Sequence, residues 1–424
     1  MALTKVTSGA VTGLATSATT DTTDASNITT GTIPTARLDT GTSANKLVQL
    51  DSTGKLPAIS GANLTGIETV TKAATAPSSP AQGDMWFDTT SGTTAMKVWN
   101  GTVWHQMSNV PFSATGGDNI TTTGGYKYHT FTSSGTFTAN AAGSVEVMIV
   151  GGGGGAGGMI GGGGGGSGVL VITTDITASA LSIIVGAGGG GHYTTTNNST
   201  SIGTVGGASS FGSYGTVLGG GPGSGAKGGG NSTSGSNGGG SGANSMATGS
   251  RSGNSINSSG YTVSSGASGL FYGGYTGGGS VGNHLAGGGA GAGEAGNTDG
   301  QSSGGDGKQI SWATRYAVTG AGDSSTGLIW GGGGAGCQYG SPASTHDAGT
   351  GGGGGGSNNN GTSSSGGTGG LNNGTNGLTN TNNANNYNGG PGGANTGGGG
   401  GGGAHAVSTG GSGGSGIVIV RYAV

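Results

Sequence analysis

The sequence predicts a mainly β protein in which long glycine-rich loops of polyglycine-II type are closed by a small sheet. Three observations lead to this fold class. Residues 144–150 alternate apolar and polar side chains with the period of two that a strand has. A run of glycine follows directly and leads into a second apolar stretch at 168–176. Residues 415–424 again form a strand pattern, so the glycine-rich part is bracketed by strands.

The composition is far from that of a usual enzyme. Gly accounts for 113 of 424 residues, and charged residues make up only 6%. Leu, Ile, Val and Phe together number 60, well below the ~20% of the chain under which disorder becomes common. The net charge of −3 is also too small for a solvated coil. Either an unconventional core orders the chain, or much of it is disordered.

Charge and cysteine content exclude several classes of function. No cluster of Lys and Arg is present to neutralise phosphates, so we expect no nucleic-acid partner. Cys337 is the single cysteine, which excludes an intrachain disulfide and a thiolate metal site. No apolar run reaches the ~18 residues of a membrane span, so we expect no membrane insertion. Residues 1–10 lack the apolar core of a secretory signal.

The first seventy residues are rich in Thr, Ser and Ala. A loose echo relates "GTIPTARL" at 31–38 to "GKLPAISGANL" at 54–64. One such chain cannot bury its few apolar residues, but three chains wound about an axis can, because each Ile or Leu then meets its copies. We therefore predict an attachment segment at 1–30 and the shaft of a homotrimer at 31–70. A flexible linker is the alternative.

Residues 71–110 predict a small β-hairpin module. Asn100-Gly101 lies between two alternating stretches, which is the strongest short-range signal for a hairpin. Three of the five tryptophans fall in this segment, and we expect their rings to stack and to cap a trimer axis. They are Trp86, Trp99 and Trp104.

Residues 111–424 predict a glycine-rich β domain with an antiparallel sheet near its start and a closing strand at 415–424. The closing strand is expected to pair with strands near 145–185. Polyglycine can form extended threefold helices that rise about 3.1 Å per residue and lack internal hydrogen bonds. We predict that the runs at 151–166, 351–356 and 397–403 pack side by side as such helices. Collagen is excluded, because no Gly-X-Y register persists.

The sequence carries no pattern typical of an enzyme or of a cofactor site. Matches to G-x-G-x-x-G are chance at this glycine content, and "GPGSGAKGGG" at 221–230 lacks the G-K-[ST] ending of a phosphate-binding loop. The 15 acids are scattered, with no evident carboxylate pair for glycoside hydrolysis. We expect no catalysis, cofactor or metal. The histidines stand apart in sequence without metal-ligand spacing: His192, His284, His346 and His405.

Three stretches resemble bacteriophage fibre proteins of the kind found in tailed phages of marine bacteria and cyanobacteria. "TTGTIPTARLDTGTSANKLVQLDSTGKLPAISGANLTG" at 29–66 is similar to fibre shafts. "APSSPAQGDMWFDTTSGTTAMKVWNGTVWHQMS" at 76–108 is similar to a small recurring fibre module. "FTSSGTFTANAAGSVEVMIVGGGGGAGG" with the ending "GGSGIVIVRY" resembles the glycine-rich domain that ends many fibres. The resemblance implies a homotrimer on the virion, a distal role in host contact and no catalysis.

These features together predict an elongated trimeric fibre with a short N-terminal shaft, a small β-hairpin module and a C-terminal glycine-rich β domain. We expect a tail fibre or adhesin on the phage surface that joins other virion proteins through its N-terminus. Its expected target is a host surface glycan or outer-membrane protein. The alternative within the virion is a capsid- or collar-decorating fibre with a structural role. Outside the virion, a glycine-rich wall protein or an ice-binding protein is a further alternative, although the irregular Thr spacing argues against ice.

Receptor-contact candidates are the aromatic residues on the glycine-rich loops, because rigid rings give contact area at low entropy cost. Each ring can instead be buried and hold segments of the lattice together, which we call a staple. That interpretation is favoured for two tryptophans. The candidates are Tyr261, Phe271, Tyr272, Tyr275, Trp312, Trp330, Tyr339 and Tyr387, with Trp312 and Trp330 the two favoured as staples.

Overall fold

The chain divides into two compact units, Met1–Met107 and Ser108–Val424. The fold is mainly β, as predicted, and only 2% helical. The predicted attachment segment at 1–30 lies outside the described residues, and so does the predicted shaft except for its last residue, Val70. A computed structural model describes residues 70–91, 94–107, 111–194, 202–226, 235–243, 260–282, 284–340, 346–359, 364–379, 387–405 and 407–424.

The first unit contains one four-stranded sheet in the order β1-β2-β3-β4. β1 pairs with β2 in parallel, and the other neighbours are antiparallel. The strands are β1 (Thr71–Ala73), β2 (Met85–Asp88), β3 (Ala95–Trp99) and β4 (Trp104–Met107). The predicted hairpin is confirmed, since Asn100 and Gly101 connect β3 to β4. Asn100 Oδ1 accepts hydrogen bonds from the amides of Thr102 and Val103 at 2.9 and 2.8 Å.

The three tryptophans of this unit pack against one another within a single chain. The Trp104 ring lies 5.4 Å from Trp86 and 5.5 Å from Trp99, measured between centroids. Lys97 lies over the Trp86 ring and donates a 2.8 Å hydrogen bond to Asp88. The Lys97 ammonium, with hydrogen bonds from Thr90, lowers the pKa of Asp88 to about 2. The tryptophans are thus the packing centre of this small sheet, and their role at a trimer axis stays a prediction.

The second unit begins as a sandwich of two six-stranded sheets. The first sheet has the order β16-β10-β9-β20-β7-β6 and the second β15-β14-β13-β11-β8-β5. The strands are β5 (Ala114–Thr115), β6 (Asn119–Thr123), β7 (Tyr126–Phe131), β8 (Gly135–Ala139), β9 (Gly143–Val150), β10 (Val169–Ile176), β11 (Ala180–Ile184), β13 (Ser209–Phe211), β14 (Gly215–Val217), β15 (Tyr261–Val263), β16 (Ser268–Tyr272) and β20 (Ile417–Ala423). Side chains from both sheets share one core, which includes Phe131, Phe137, Ile149, Leu170 and Phe211.

Strand β9 shows why the sandwich needs a further layer. Its Val145, Val147 and Ile149 face the core, as the alternation predicts. Met148 and Val150 point to the opposite face but are also fully buried, so the strand is not half-exposed as a period of two suggests. A second apolar cluster covers that face.

The covering layer comes from residues that interrupt the glycine-rich sequence. It consists of β17 (Lys308–Thr314), α1 (Arg315–Thr319) and β18 (Gly327–Trp330). Thr314 caps the helix by accepting a 3.1 Å hydrogen bond from the amide of Ala317. Trp330 fills the middle of the second cluster with no exposed surface. Within the described part of the chain, no helix is long and apolar enough to cross a membrane.

The C-terminal strand, β20, completes the first sheet by lying between two of its earlier strands. β20 is antiparallel to both β9 and β7 and is therefore central in its sheet. The expected pairing with the strands near 145–185 is confirmed for β9. A further short pair, β12 (Tyr193–Thr194) with β19 (Ser408–Thr409), joins two glycine-rich segments that are far apart in sequence.

The glycine runs between the strands form a lattice of threefold helices, as predicted. Successive amides of run 151–158 donate backbone hydrogen bonds of 2.8 to 3.1 Å to three neighbouring runs, each run in turn. Amides 152 and 155 bond to run 203–207, amides 153 and 156 to run 410–414, and amides 154 and 157 to run 161–167. A repeat of three is the period of the polyglycine-II helix. The predicted run at 151–166 is thus two antiparallel helices that meet at Met159 and Ile160.

Each inner run has six neighbours, which makes the packing hexagonal. Run 161–167 donates to runs 221–224, 287–290 and 397–403. It accepts from three further runs, at 154–157, 240–243 and 334–337. Run 351–356 joins the same lattice through a 2.7 Å bond from the amide of Gly354 to the carbonyl of Gly399. The backbone amides and carbonyls of this interior are therefore paired mainly with one another, and a few side chains supply further bonds, such as that from Asn237 Nδ2 to the Gly166 carbonyl.

The inner runs need glycine because their neighbours approach where a Cβ atom would lie. A Cβ on Gly163 would meet the carbonyl oxygen of Gly334, and one on Gly153 would meet that of Gly398. The outer run at 372–379 needs glycine only at every third position. There Gly374 and Gly377 face run 353–357, while the intervening side chains are exposed. Positions without room for a Cβ atom therefore mark contacts with a neighbouring run, and in run 372–379 they recur at every third residue.

Candidate binding surface

We call the end of the lattice farthest from the sandwich the tip. Run 151–158 leaves β9 and, at about 3.1 Å per residue, reaches Met159 roughly 25 Å away. Run 161–167 returns from there to β10. Seven buried side chains from several runs meet at this end: Met159, Ile160, Ala226, Ala243, Ala286, Cys337 and Ala404.

The turn at the tip has an unusual backbone. Met159 and Ile160 have φ angles of 50° and 51°, in the left-handed region. A β-branched residue rarely adopts this conformation, and strain of this kind costs on the order of 1–3 kcal/mol per residue. Glycine would adopt it freely and is abundant in this chain. We infer that bulky side chains are needed at this turn in spite of the strain. The side chains of Met159 and Ile160 form the apolar floor of the tip.

A row of four half-buried rings lies against this floor. The ring centroids of His284 and Tyr339 are 5.2 Å apart, those of Tyr339 and His405 are 5.8 Å apart, and those of His405 and Tyr387 are 5.1 Å apart. Tyr339 and Tyr387 both pack on the buried cluster. We call these four residues the ring row.

Backbone hydrogen bonds fix the ring row to the ends of the lattice runs. The amide of Tyr339 donates to the carbonyl of His284 at 2.9 Å. The amide of Ala404 donates to the carbonyl of Tyr387 at 3.1 Å, and Ser357 Oγ donates to the same carbonyl at 2.7 Å. The positions of the rings therefore follow from these hydrogen bonds to the lattice together with packing on the buried cluster.

The remaining sequence-predicted contacts lie on the sandwich side of the lattice. Tyr261 on β15 stacks on Phe271 of β16, with centroids 4.3 Å apart, and is 41% exposed. Tyr272 lies under the Lys308 ammonium at 4.7 Å. Tyr275 is 39% exposed, and its amide donates to Asn237 Oδ1. The structure does not bring these tyrosines to the ring row.

The two predicted tryptophans are held inside the second apolar cluster. Trp330 is fully buried, so its ring offers no surface to a ligand, and it leaves the set of candidate contacts. Its indole N–H has no hydrogen-bond partner among the described residues. Trp312 is half-buried and holds the Arg421 guanidinium 4.4 Å above its ring, while Arg421 also binds Glu146. For both, the staple interpretation is the one that the contacts support.

The ring row contains two functional candidates that the sequence pattern did not bring together. His284 and His405 are isolated in sequence, 121 residues apart by their numbers, yet both rings contact Tyr339. One signal was available, since each histidine stands within three residues of a glycine run. Bulky residues at the end of a run mark either the sandwich end, as Val150 and Trp330 do, or the tip, as these two histidines do.

Three acids also meet, although the sequence suggested that the acids are scattered. Carboxylate oxygens of Glu294, Asp299 and Asp306 lie within 4.8 Å of one another. Glu294 Oε1 accepts from the amide of Asp306 at 3.0 Å, and Asp306 Oδ1 accepts from the amide of Thr350 at 2.7 Å. Burial, with the charges of Asp299 and Asp306, raises the pKa of Glu294. Glu294 and Asp306 thus accept hydrogen bonds from backbone amides of neighbouring segments, which is a structural use of acids.

Residues 130–371 match a family described as a glycine-rich domain. The match covers more than half of the chain. The chain belongs to this glycine-rich domain family. The match begins within β7 and ends at Leu371, whereas the lattice and the central strand β20 continue to residue 423. No curated protein matches the sequence.

Proposed function

We propose that this chain is a virion fibre protein that contacts the host cell surface through the tip of its glycine-rich unit. The observation that carries the proposal is the position of the ring row. Aromatic residues from four separate run ends meet at the tip, on a floor held by strained residues and a backbone-bonded lattice. Such a scaffold is rigid and holds its functional residues at one end, as binding loops on other folds are held.

The lattice also separates binding from folding. Its runs are held to one another mainly by backbone groups, so exposed residues at the tip can change without altering the large side-chain core of the sandwich. Recognition proteins need that independence, because their targets vary while their fold must persist. The resemblance of the shaft, hairpin module and glycine-rich domain to phage fibres supports the same role.

The proposed assembly is a homotrimer on the virion, attached to other virion proteins through its N-terminal segment. A single copy of the shaft segment at 31–70 cannot bury its few apolar residues. In a trimer, each of them can pack against its two copies. Its partners at the other end are groups on the bacterial surface. No catalytic step is part of this function.

Cryo-electron microscopy of the phage particle tests the proposal most directly. We expect trimers that project from the tail with the glycine-rich unit outward. Trimers on capsid vertices, or a chain enclosed in a connector, would contradict host contact and support the decorating role instead.

Competition for adsorption gives an independent test. Purified full chain, added in excess to host cells before the phage, is expected to slow adsorption. Full chain heated until its near-ultraviolet circular dichroism is lost serves as the matched control. Adsorption that proceeds at the same rate with folded and heated chain would contradict the proposal.

A further inference from the structure

We infer that the ring row binds a neutral glycan, which names the class of ligand for the proposed function and rests on it. Its four rings follow one another with centroid separations between 5.1 and 5.8 Å. Among the described residues, ring contacts join only consecutive members of the row, so the four rings form a chain of contacts rather than a closed cluster. This arrangement fits a chain of consecutive sugar rings better than a single compact molecule.

The chemistry of the row matches that of a sugar. The apolar faces of pyranose rings pack on aromatic rings, whose width and rigidity make them good contact surfaces. Specificity for a sugar also needs polar groups around the rings to bond to its hydroxyls. Two amide side chains beside the row are not fully buried and can bond to those hydroxyls. They are Asn359, whose Oδ1 accepts from the amide of Gly340, and Asn388, which follows Tyr387 in the chain.

The charge around the row selects against anionic ligands. Phosphate, sulfate and carboxylate groups are bound by Arg and Lys in fixed geometry. Within three positions of each ring in the chain, at 281–287, 336–342, 384–390 and 402–408, the sequence has no Lys, Arg, Asp or Glu. The ring row therefore offers stacking and neutral hydrogen bonds, which suit uncharged sugars and not phosphorylated or acidic ones.

The rigidity of the floor favours the same ligand. A sugar chain loses conformational freedom when it binds, so a site that is already ordered limits the entropy cost to one partner. Met159 and Ile160 are held in left-handed conformations, and the amides of Ala226 and Ala243 donate to their carbonyls at 3.1 and 3.0 Å. The floor beneath the rings is therefore formed before any ligand arrives.

An array of oligosaccharides tests the inference with the full chain. The probes are neutral oligomers of glucose, galactose, mannose and N-acetylglucosamine, each beside a sulfated, sialylated or uronic-acid counterpart. We expect binding to at least one neutral oligomer and none to its acidic counterpart. Absence of binding to every neutral oligomer, or binding to acidic ones alone, would overturn the inference.

Substitutions then locate the site. Tyr339→Ala and Tyr387→Ala are expected to weaken binding about tenfold each, the effect of losing one stacking contact with its buried area. Tyr339→Phe keeps the ring and is expected to retain binding. Tyr275→Ala removes an exposed ring outside the row and is the matched control. Equal binding by all four variants would place the sugar elsewhere and refute the assignment.

A measurement on the unmodified chain guards against variants that do not fold. With tyrosine rings labelled for NMR, the bound oligosaccharide is expected to shift the resonances of Tyr339 and Tyr387 and leave those of Tyr261 and Tyr275 in place. Shifts confined to Tyr261 and Tyr275 would overturn the assignment. A chain that blocks adsorption equally well with Tyr339→Ala would leave the proposed function intact and reject the glycan site.

Discussion

The sandwich and the glycine lattice of the second unit exclude water from their interiors in opposite ways. In the sandwich, large side chains such as Phe137 and Phe211 fill the space between two sheets. In the lattice, runs such as 161–167 touch through amides and carbonyls, with no side chain between them. The sandwich relies on the hydrophobic effect, and the lattice on many hydrogen bonds that each contribute about 1 kcal/mol net.

The difference teaches what each region needs from its sequence. Ordering a residue costs on the order of 1–2 kcal/mol of backbone entropy, so a single glycine run cannot stay ordered alone. Six neighbours and fixed ends offset that cost. The strands that bracket the runs fix one end of them at the sandwich. We infer that the sandwich anchors the lattice, and that the lattice in turn holds the tip.

Hydrogen exchange gives the largest expected contrast. Inner amides such as Gly154 and Gly164 are expected to exchange slower than unbonded outer amides by about three orders of magnitude or more, because buried amides open only in rare events. Within the outer run 186–192, Gly189 and His192 donate to carbonyls of run 151–158, at 2.8 and 3.0 Å.

The unbonded amides of that outer run are the internal control. Gly188 and Gly191 donate no hydrogen bond to described residues and are expected to exchange quickly. Site-resolved exchange by NMR checks the pattern. Uniform protection along the run, or fast exchange of the inner amides, would contradict a lattice with a repeat of three.

Removal of a large side chain tests the sandwich. Phe211→Ala is expected to lower the free energy of unfolding by about 3–5 kcal/mol, because it leaves a cavity in a fully buried position. Phe211→Leu keeps most of the volume and is expected to cost less than about 1.5 kcal/mol. Denaturant unfolding of the full chain measures both, and equal losses would show that the core does not depend on volume there.

Addition of one methyl group tests the lattice. Gly163→Ala is expected to cost about 1–3 kcal/mol, because the new Cβ meets the carbonyl oxygen of Gly334 and the runs must separate. Gly190→Ala is the matched control, since its Cβ would meet only Thr204 Oγ1, at 3.6 Å. That variant is expected to be neutral or more stable by about 0.5 kcal/mol. Similar losses for both glycines would break the comparison.

The smallest expected effect is a pH dependence within the sandwich. Burial, with the charge of Lys127, lowers the pKa of His129, although its hydrogen bond to Gly116 opposes the shift. His129 Nδ1 donates to the Gly116 carbonyl at 2.7 Å, so Nε2 accepts from the Tyr422 hydroxyl at 3.3 Å. A proton on Nε2 removes that acceptor.

The folded state therefore holds His129 neutral, while the unfolded chain binds a proton near the ordinary pKa of about 6.5. Stability from this group is complete above that pH and is lost as the pH falls toward the lowered folded value. Denaturation midpoints at pH 7.5 and 5.5 measure the loss, which we expect to be smaller than that of Phe211→Ala. His129→Asn is expected to flatten the difference, and an unchanged slope in that variant would assign it to other groups.

Much of the fold could be predicted from local patterns. The alternation at 144–150, the Asn100-Gly101 turn and the apolar ending at 415–424 each correspond to structure, because strands and tight turns follow from nearby residues. The polyglycine runs were also identifiable, since a residue without a Cβ leaves few packed conformations for long runs.

The arrangement of these parts could not be predicted. Glycine carries no side chain to specify a neighbour, so nothing in the run 161–167 indicates that it bonds to run 287–290. The covering layer from β17 to β18 carries no local signal for its role, because the strands that it packs on are far away in sequence. The ring row escaped for the same reason, and so did the meeting of Glu294 with Asp306.

The repeat of three gives the lattice something like a reading frame. Successive amides of a run point about 120° apart, because the helix has three residues per turn. Insertion or deletion of one residue within run 151–158 would turn every later donor toward the wrong neighbour. A change of three residues would preserve the directions and only move the tip. Length changes in the inner runs are therefore tolerated in multiples of three, whereas the segments that join the runs are free of this constraint.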